Sequence, residues 1–377
     1  MAADELNKPL GLAPPKRPRR RYVLLAAIGG GLAAIAGAAV AWIVYFPGAG
    51  PTVTAAINAA DPRQLASDQT GSTVPASGLT PVEEDLIVIT PVDEAAAVDE
   101  VLIYDPAAPP PVRLAALPDG ALVEATVDGP LPRVADDGTR PLDAYARPSA
   151  ADPREPRIAI VVGGLGVDAD GTRQAIAALP ADVTLAFAPY GDDLAGALSA
   201  ARAAGHEILL QVPLEPFNYP ATDPGPNTLT ARATPEENIE RLRWFMGRLT
   251  NYVGVVNYMG ARFTGEPDAM APVLAEIGRR GLLYLDDGSS PRSRAAEVAG
   301  GVLPFVRADM VLDADLNAAA IDQRLRQLQA IARERGYAIA TATAFPVSVE
   351  RIVAFVRAAA GRGVQIVPVS ALAAGPP

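Results

Sequence analysis

Three charged side chains follow predicted β-strands, and they are the strongest candidates for chemistry in this sequence. Glu215 follows one predicted strand, Arg262 follows the next, and Asp287 follows the one after that. A positioned carboxylate can act as a general acid or base, and an arginine can pair with a carboxylate of a ligand or of the protein itself. We therefore predict Glu215 and Asp287 as catalytic residues and Arg262 as a substrate-binding residue. The alternative is that all three form ion pairs or helix caps.

Uncharged residues at the same strand ends are predicted to contact a substrate. Glycine leaves room for a ligand, amides bind polar groups, and tyrosine rings stack on sugar rings. The alternatives are that the glycines only make a tight turn and that the tyrosines only pack. The predicted substrate-binding residues of this kind are Gly163, Gly164, Tyr190, Gln211, Asn257 and Tyr258.

The sequence contains no cysteine and a single histidine, His206. The absence of cysteine excludes disulfides, thiolate nucleophiles and Cys-ligated metal sites. His206 lies just before a predicted strand, whereas the candidate residues lie at the opposite ends of the strands. Across about six extended residues the separation is about 20 Å, so a catalytic triad cannot include this imidazole. We predict that His206 has a structural role.

Neither a metal nor an organic cofactor is predicted. A magnesium or calcium site with oxygen ligands from Glu215, Asp286 and Asp287 is the alternative. Asp286 and Asp287 are neighbours, however, and neighbouring residues of a strand face opposite sides, so they are not expected to share one ion.

A short glycine-rich segment at residues 164–169 fits the G-x-G-x-x-A pattern that binds dinucleotides after a strand. Asp168 and Asp170 would stand where the pyrophosphate binds, and like charges repel there. A tight strand-to-helix turn is the simpler interpretation of these glycines.

Short apolar runs alternate with amphipathic stretches from residue 157 onward, and this pattern predicts an α/β fold with a parallel sheet. Thr234, Pro235 and Glu237 form a predicted capping box, and Gly205, Gly281 and Gly336 are predicted left-handed helix ends. The predicted strands are 158–162, 183–188, 207–212, 253–258, 282–285, 305–312, 337–343 and 364–369. The predicted helices are 172–179, 193–204, 235–249, 267–280, 317–335 and 347–362.

Seven or eight β-α units predict a distorted (β/α)7-8 barrel, with a doubly wound open sheet as the alternative. In both architectures the ligand site lies at the carboxyl ends of the strands. This rule selects the candidate residues named above.

The region before the barrel predicts a membrane anchor and a tether. Residues 1–22 form a basic cytoplasmic tail, residues 23–46 an apolar transmembrane helix, and residues 47–155 a mostly disordered linker rich in proline, alanine and acidic residues, preceding a domain at 156–373. Within the linker, residues 129–146 are an exception that could lie extended against the domain. Cleavage of a signal peptide after residues 39–41 is the alternative to anchoring.

The charges argue against nucleic acid as a partner. The formal net charge is −11, and basic residues cluster only beside the apolar run, so a nucleic-acid partner is not predicted.

Five segments, taken in order, resemble the divergent polysaccharide deacetylases. They are IAIVVGGLG (158–166), TLAFAPY (184–190), GHEILLQVPLEP (205–216), NYMGARFT (257–264) and IVPVS (366–370). The resemblance covers most of residues 157–372. It implies a distorted barrel of the polysaccharide-deacetylase type, carbohydrate metabolism and a bacterial envelope setting. With the predicted anchor, it places the chain in the bacterial inner membrane, with its N-terminus cytoplasmic and its C-terminal domain periplasmic.

The sequence departs from the family pattern at the metal site. Typical members resemble Asp-Asp where this chain has Gly163 and Gly164, and histidine where it has Gln211 and Tyr258. A further histidine is replaced within residues 343–345. In the related deacetylases one aspartate acts as base, while a second aspartate and two histidines hold the metal. Glycine cannot take either role, and Gln and Tyr are poor ligands for a catalytic zinc.

Two functional hypotheses follow. The first is a non-catalytic protein that binds a glycan or an envelope protein through the cleft of the barrel. The second is an active carbohydrate deacetylase or other hydrolase with a rebuilt site. The chemistry of the strand ends favours the first.

Overall fold

The computed structural model describes residues 114–373. The strands in that range are β1 (Val123–Thr126), β2 (Gly129–Pro132), β3 (Arg157–Leu165), β4 (Thr184–Phe187), β5 (Ile208–Leu214), β6 (Gly254–Met259), β7 (Leu283–Asp286), β8 (Phe305–Arg307), β9 (Met310–Val311), β10 (Tyr337–Thr343) and β11 (Gln365–Ile366). The α-helices are α1 (Pro141–Tyr145), α2 (Ala169–Ala178), α3 (Leu194–Ala203), α4 (Pro235–Met246), α5 (Pro267–Arg279), α6 (Ala295–Ala299), α7 (Ala318–Arg335) and α8 (Pro346–Arg357).

The predicted transmembrane helix at residues 23–46 lies outside the described residues, as do the predicted cytoplasmic tail and the linker up to residue 113. Between residues 114 and 373, no helix is both long enough and apolar enough to cross a membrane.

The main sheet is parallel, as predicted. Its strand order is β8-β7-β6-β5-β4-β3-β10-β9, and β11 pairs with the first residues of β3. The two edge strands, β8 and β9, are separated in the chain only by Ala308 and Asp309, and two residues span at most about 7 Å. The opposite edges of the sheet must therefore approach each other, so the sheet curves into an incomplete barrel and not into an open doubly wound sheet.

The barrel has a seam, a place where the two edge strands β8 and β9 do not pair with each other. It lies where one continuous strand, 305–312, was predicted. In the structure β8 pairs with β7, while β9 pairs with β10. No ladder joins β8 to β9 within the described sheet. The prediction of one strand is wrong because the chain leaves one edge of the sheet at Arg307 and joins the other edge at Met310.

Alternation along the strands gives the sheet two apolar faces, because successive side chains of a strand point to opposite sides. The outer face packs against the helices, and the inner face forms a separate core inside the barrel. On β3, Ile158, Ile160 and Val162 belong to the outer core, whereas Ala159 and Val161 belong to the inner core.

The predicted helix ends are confirmed. The side chain of Thr234 accepts a hydrogen bond from the backbone of Glu237, and the Glu237 carboxylate accepts one from the backbone of Thr234, which completes the capping box. Gly205, Gly281 and Gly336 have φ angles of 88°, 72° and 88°. Side chains other than glycine rarely adopt this left-handed conformation.

Residues 114–155 are ordered, so the linker prediction is wrong for this part of it. They form the β1–β2 hairpin and α1, and they bury Leu131, Leu142 and Tyr145. Arg202 of α3, which is 1% exposed, donates hydrogen bonds to the carbonyl oxygens of Ala115 and Tyr145. The folded unit therefore includes residues upstream of the predicted boundary at 156, and residues 129–146 do pack against the barrel.

Candidate functional site

Five residues stand above the inner core at the carboxyl ends of the strands, and together we name them the polar cup. They are Gly163 on β3, Gln211 on β5, Tyr258 on β6, Asp287 after β7 and Thr343 on β10. Parallel pairing places Thr343 beside Gly163, and it aligns Gln211 with Val256, two residues before Tyr258 on the same face. The cup opens into a cleft of about 1360 Å³.

Gly163 and Gln211 interlock at the floor of the cup. The Oε1 atom of Gln211 accepts a hydrogen bond from the backbone N–H of Gly164 at 2.7 Å. A Cβ atom at position 163 would lie 2.4 Å from Nε2 of Gln211. The Gln211 amide therefore fills the space that a side chain at position 163 would need. Both glycines and Gln211 line the cleft, and the Nε2 group of Gln211 donates no hydrogen bond within residues 114–373.

Asp287 is the only acidic residue of the polar cup. Its Oδ1 atom accepts hydrogen bonds from the backbone N–H of Ser289 at 2.9 Å and from the Ser289 hydroxyl at 2.7 Å. Burial raises the pKa of Asp287, the negative charge of Asp286 adds to this effect, and the Ser289 hydrogen bonds oppose it. A carboxyl group with a raised pKa in a cleft is a common feature of functional sites.

We predict that Asp287 opposes stability at neutral pH. Because its pKa is raised in the folded state, its stabilising contribution is present below its ordinary pKa of 3.8 and is lost as the pH rises through the raised value. The variant Asp287→Asn should therefore unfold at the same temperature as the wild type, or higher, at neutral pH. Thermal unfolding followed by circular dichroism measures this difference, which should disappear in acid. A variant that is less stable at neutral pH would contradict the prediction.

Asp286 faces away from the cup, as the alternation argument predicts. Its carboxylate accepts hydrogen bonds from the backbone of Gly288 at 3.0 Å and the Ser293 hydroxyl at 2.5 Å, and it lies 3.8 Å from the guanidinium of Arg307. These contacts hold the loop after β7. Asp286 and Asp287 therefore do not converge on one ion.

Asn257 lines the cleft, but its side chain forms hydrogen bonds within the protein. Its Oδ1 atom accepts hydrogen bonds from the backbone of Asp287 at 2.9 Å and the Tyr284 hydroxyl at 3.3 Å, and its amide donates to the carbonyl of Met259 at 2.7 Å. Met259 has a φ of 58°, a conformation that is uncommon for side chains other than glycine. Asn257 thus positions Asp287 and the end of β6, which is a different role from the substrate contact predicted for it.

The two tyrosines predicted to bind substrate differ in their hydrogen bonds and in their exposure. The Tyr190 hydroxyl donates a hydrogen bond to the carbonyl of Pro226 at 2.7 Å, and its ring packs edge-on against Phe245. Burial raises the pKa of Tyr190. Tyr258 is 42% exposed and makes no side-chain hydrogen bond within the described residues. Tyr190 therefore anchors the loop at 216–226 while Tyr258 presents its ring to the cleft.

Glu215 and Arg262 lie outside the cleft. Glu215 is buried, and its Oε2 atom accepts a hydrogen bond from the backbone of Ala231 at 2.7 Å. Its Oε1 atom lies 3.5 Å from Nε of Arg262, and its carbonyl accepts hydrogen bonds from the backbone of Arg262 and Phe263. The geometry gives Glu215 a structural role, because the chain leaves the sheet after Leu214. Glu215 and Arg262 thus form the ion pair that was the alternative to a catalytic and a substrate-binding role.

The donors needed for a metal are missing from the cup. Nowhere in residues 114–373 do three His, Cys, Asp or Glu side chains come together in an arrangement that could hold a metal ion. The positions that the resemblance assigns to metal ligands carry Gly163, Gly164, Gln211 and Tyr258. These residues do not fit the metal of a deacetylase, because glycine offers no ligand and Gln and Tyr are poor ligands for a catalytic zinc.

His206 has the structural role that was predicted. It is buried, its Nδ1 atom lies 2.9 Å from the carbonyl oxygen of Val183, and Nε2 lies 3.4 Å from that of Ile176. Burial lowers the pKa of His206, although the two carbonyl contacts oppose this effect.

The turn at residues 164–169 is also structural. Asp168 accepts a hydrogen bond from the backbone of Gly171 at 2.6 Å and so caps α2. This carboxylate occupies the helix end where a pyrophosphate would have to bind.

An apolar extension of the cleft was not predicted. The cleft continues between α2 and α8, where Ala175, Ala178, Val349 and Val353 line it. Val167 and Phe345 add exposed apolar surface at its mouth. The apolar spacing on α8 was visible in the sequence, but only the structure shows that α2 leaves this face accessible.

Comparison with known proteins places this architecture in a family. The model of the family described as "Divergent polysaccharide deacetylase" matches residues 160–373. The chain belongs to this family. The matched residues run from β3 to the last residue that the structure describes, so they include the whole polar cup.

Two relatives and one solved structure are similar to this family member. Uncharacterized protein YibQ of Escherichia coli K12 is 26% identical over 196 residues, which are 51% of this chain and 60% of YibQ. An uncharacterized protein of Haemophilus influenzae is 24% identical over 186 residues, 49% of this chain and 65% of the relative. The matches thus span less than two thirds of either relative. A crystal structure of uncharacterized protein ATU2773 from Agrobacterium tumefaciens C58 is 49% identical, has a TM-score of 0.63, and covers 65% of this chain and 99% of that one.

Proposed function

We propose that this protein binds a glycan of the bacterial cell envelope and does not deacetylate it. The interlock of Gly163 with Gln211 is the observation that carries the proposal. It puts an amide where the family pattern has an aspartate side chain, so position 163 supplies neither the metal-binding carboxylate nor the base that the related deacetylases use there.

The shape and lining of the cleft support a glycan as the ligand. Sugar rings present apolar faces to aromatic side chains, and Tyr258 and Phe345 are exposed at the cleft. The free Nε2 group of Gln211 and the carboxylate of Asp287 supply a donor and an acceptor for sugar hydroxyl groups. A volume of about 1360 Å³ exceeds the range of about 300–1000 Å³ that is usual for small-molecule pockets, so more than one sugar unit fits.

We further propose that residues 23–46 anchor the chain in the bacterial inner membrane and that the barrel faces the periplasm. The support is the uncharged apolar run, long enough to span a bilayer, and the arginines that precede it. An envelope glycan would be within reach of such a domain. An envelope protein is the other ligand that this cleft could accept.

An active hydrolase is the second candidate function. The observation in its favour is Asp287, whose raised pKa suits a general acid or base. Ser289 holds one of its oxygens, and the residue lines the cleft. Such an enzyme would have to activate water through this single carboxylate.

Binding and acetate release measured together on the purified full chain separate the two functions. Titration calorimetry with tri-N-acetylglucosamine should detect binding, whereas an acetate assay on the same sugar with added divalent metal should detect no release above background. Acetate release that disappears in Asp287→Ala would overturn the binding proposal in favour of the hydrolase. Glu297→Ala removes only an exposed ion pair with Arg294. It is the control for changes in activity that arise from preparing a variant protein and not from the loss of Asp287.

A further inference from the structure

The carboxylate of Asp287 has no cationic partner among residues 114–373. Its Oδ1 atom is held by Ser289, and the side chain of Asn257 also stabilises the charged form, but no arginine of the described residues forms an ion pair with it. The nearby arginines have other contacts: Arg307 faces Asp286 and donates to the carbonyl of Ser290, Arg294 pairs with Glu297, and Arg292 lies over the ring of Phe217. A half-buried carboxylate without a counter-ion can pair with a cationic group of a ligand.

The other charged residues that line the cleft do not supply that partner. Asp168 caps α2, Asp170 pairs with Arg173, and Glu350 lies 3.6 Å from Arg351. Arg357 is the single basic residue of the lining, and it is the last residue of α8. That helix begins beside the cup at Pro346, and eleven residues of α-helix rise about 16 Å, so Arg357 lies at the far end of the cleft.

An aromatic ring stands beside this carboxylate. The pairing of β6 with β7 aligns Val256 with Leu285, and extending that register by two residues places Tyr258 opposite Asp287 on the inner face. The Tyr258 ring is exposed and its hydroxyl is free of hydrogen bonds among the described residues. A carboxylate next to an aromatic face attracts a cation, and ammonium groups are recognised by this combination.

We propose that the polar cup binds a protonated primary amine and that the ligand is therefore an amino sugar from which the acetyl group has been removed. The ammonium group pairs with the carboxylate of Asp287 and lies against the ring of Tyr258. An N-acetyl group is neutral and leaves the carboxylate without a counter-ion. The inference rests on the proposed glycan-binding function and names the class of glycan.

A matched pair of sugars tests the inference on the full chain. Titration calorimetry at near-neutral pH compares triglucosamine with tri-N-acetylglucosamine, which differ in their acetyl groups. We expect triglucosamine to bind at least about tenfold more tightly, the ratio that corresponds to 1.4 kcal/mol. Asp287→Asn should reduce this preference to about twofold or less, because it keeps the shape of the side chain and removes the charge. Tyr258→Leu should weaken the binding of triglucosamine.

The control separates the cup from general attraction between a cationic sugar and an acidic protein. Asp136→Asn removes one negative charge from a side chain that is 98% exposed, and it should leave the preference unchanged. Thermal unfolding confirms that each variant is folded.

Each outcome bears on one of the two proposals. Equal or tighter binding of the acetylated sugar would overturn the amine inference and leave glycan binding standing. A preference that survives in Asp287→Asn would also overturn it. Failure of both sugars to bind would overturn the proposed function itself.

Discussion

Replacing Glu276 by alanine is expected to destabilise the folded domain by about 3–5 kcal/mol, the usual loss when one partner of a buried ion pair is removed. Glu276 on α5 is 6% exposed and lies among three arginines. Its carboxylate accepts hydrogen bonds from Arg243 at 2.9 Å, Arg279 at 2.7 Å and Arg280 at 2.8 Å. Arg280 is itself buried, so the alanine variant leaves a buried guanidinium without its nearest counter-ion.

Urea unfolding of the wild type and of Glu276→Ala measures this loss. The matched control is Glu297→Ala, which removes an exposed ion pair with Arg294 and should change the free energy of unfolding by less than about 0.5 kcal/mol. Equal stability of Glu276→Ala and the wild type would show that the arginine cluster does not hold α4, α5 and the β1–β2 hairpin together.

The same carboxylate predicts how stability depends on pH. Burial alone would raise the pKa of Glu276, but the hydrogen bonds from Arg243, Arg280 and Arg279 outweigh it and lower the pKa to about 2. Because the pKa is lowered in the folded state, the stabilisation is present above the ordinary pKa of 4.5 and is lost as the pH falls through about 2. The Glu276→Ala variant should lack this part of the acid sensitivity.

Removing residues 114–155 is expected to abolish the stable fold. Three buried charged side chains of the barrel depend on that segment. Arg202 donates to carbonyl groups of Ala115 and Tyr145, Arg280 donates to the carbonyl of Pro132 at 2.8 Å, and the fully buried Glu207 accepts the backbone N–H of Arg147 at 3.1 Å. Each unsatisfied buried charge costs several kcal/mol, and a domain is stable by only about 5–15 kcal/mol in total.

Two fragments, 114–373 and 156–373, provide the comparison. The longer fragment should unfold cooperatively in urea, whereas the shorter one should be insoluble or unfold without a transition. A soluble 156–373 fragment with the same midpoint as the longer fragment would contradict the prediction. A third version of 114–373 that carries Leu117→Ser, an exposed residue, controls for any change in that segment.

The sequence predicted the barrel but not its first part or its seam. Apolar alternation and capping residues are local signals, so the strand around Ile160 and the helix that begins after Thr234 were found. The segment before residue 156 was assigned to a linker because its prolines and acidic residues are typical of disorder, yet Leu131 and Tyr145 are buried. Residues 305–312 were predicted as one strand, and only the strand pairing shows that they belong to two edges of the sheet.

The candidate site was predicted in part for a similar reason. The strand-end rule identified Gly163, Gln211, Tyr258 and Asp287, all of which line the cleft. It also selected Glu215, which follows a strand but whose side chain turns to Ala231 and Arg262. The orientation of a side chain at a strand end depends on where the chain leaves the sheet. That position cannot be predicted from the amino-acid composition of the strand.

The contact between Gly163 and Gln211 sets a condition on any side chain at position 163. An aspartate there would meet the Nε2 end of Gln211, a flexible side chain that would have to shift away from the backbone of Gly164. A carboxylate at position 163 would therefore cost the hydrogen bond between Gln211 and Gly164, unless position 211 changed as well. The effects of substitutions at these two positions on stability are thus expected to be coupled and not additive.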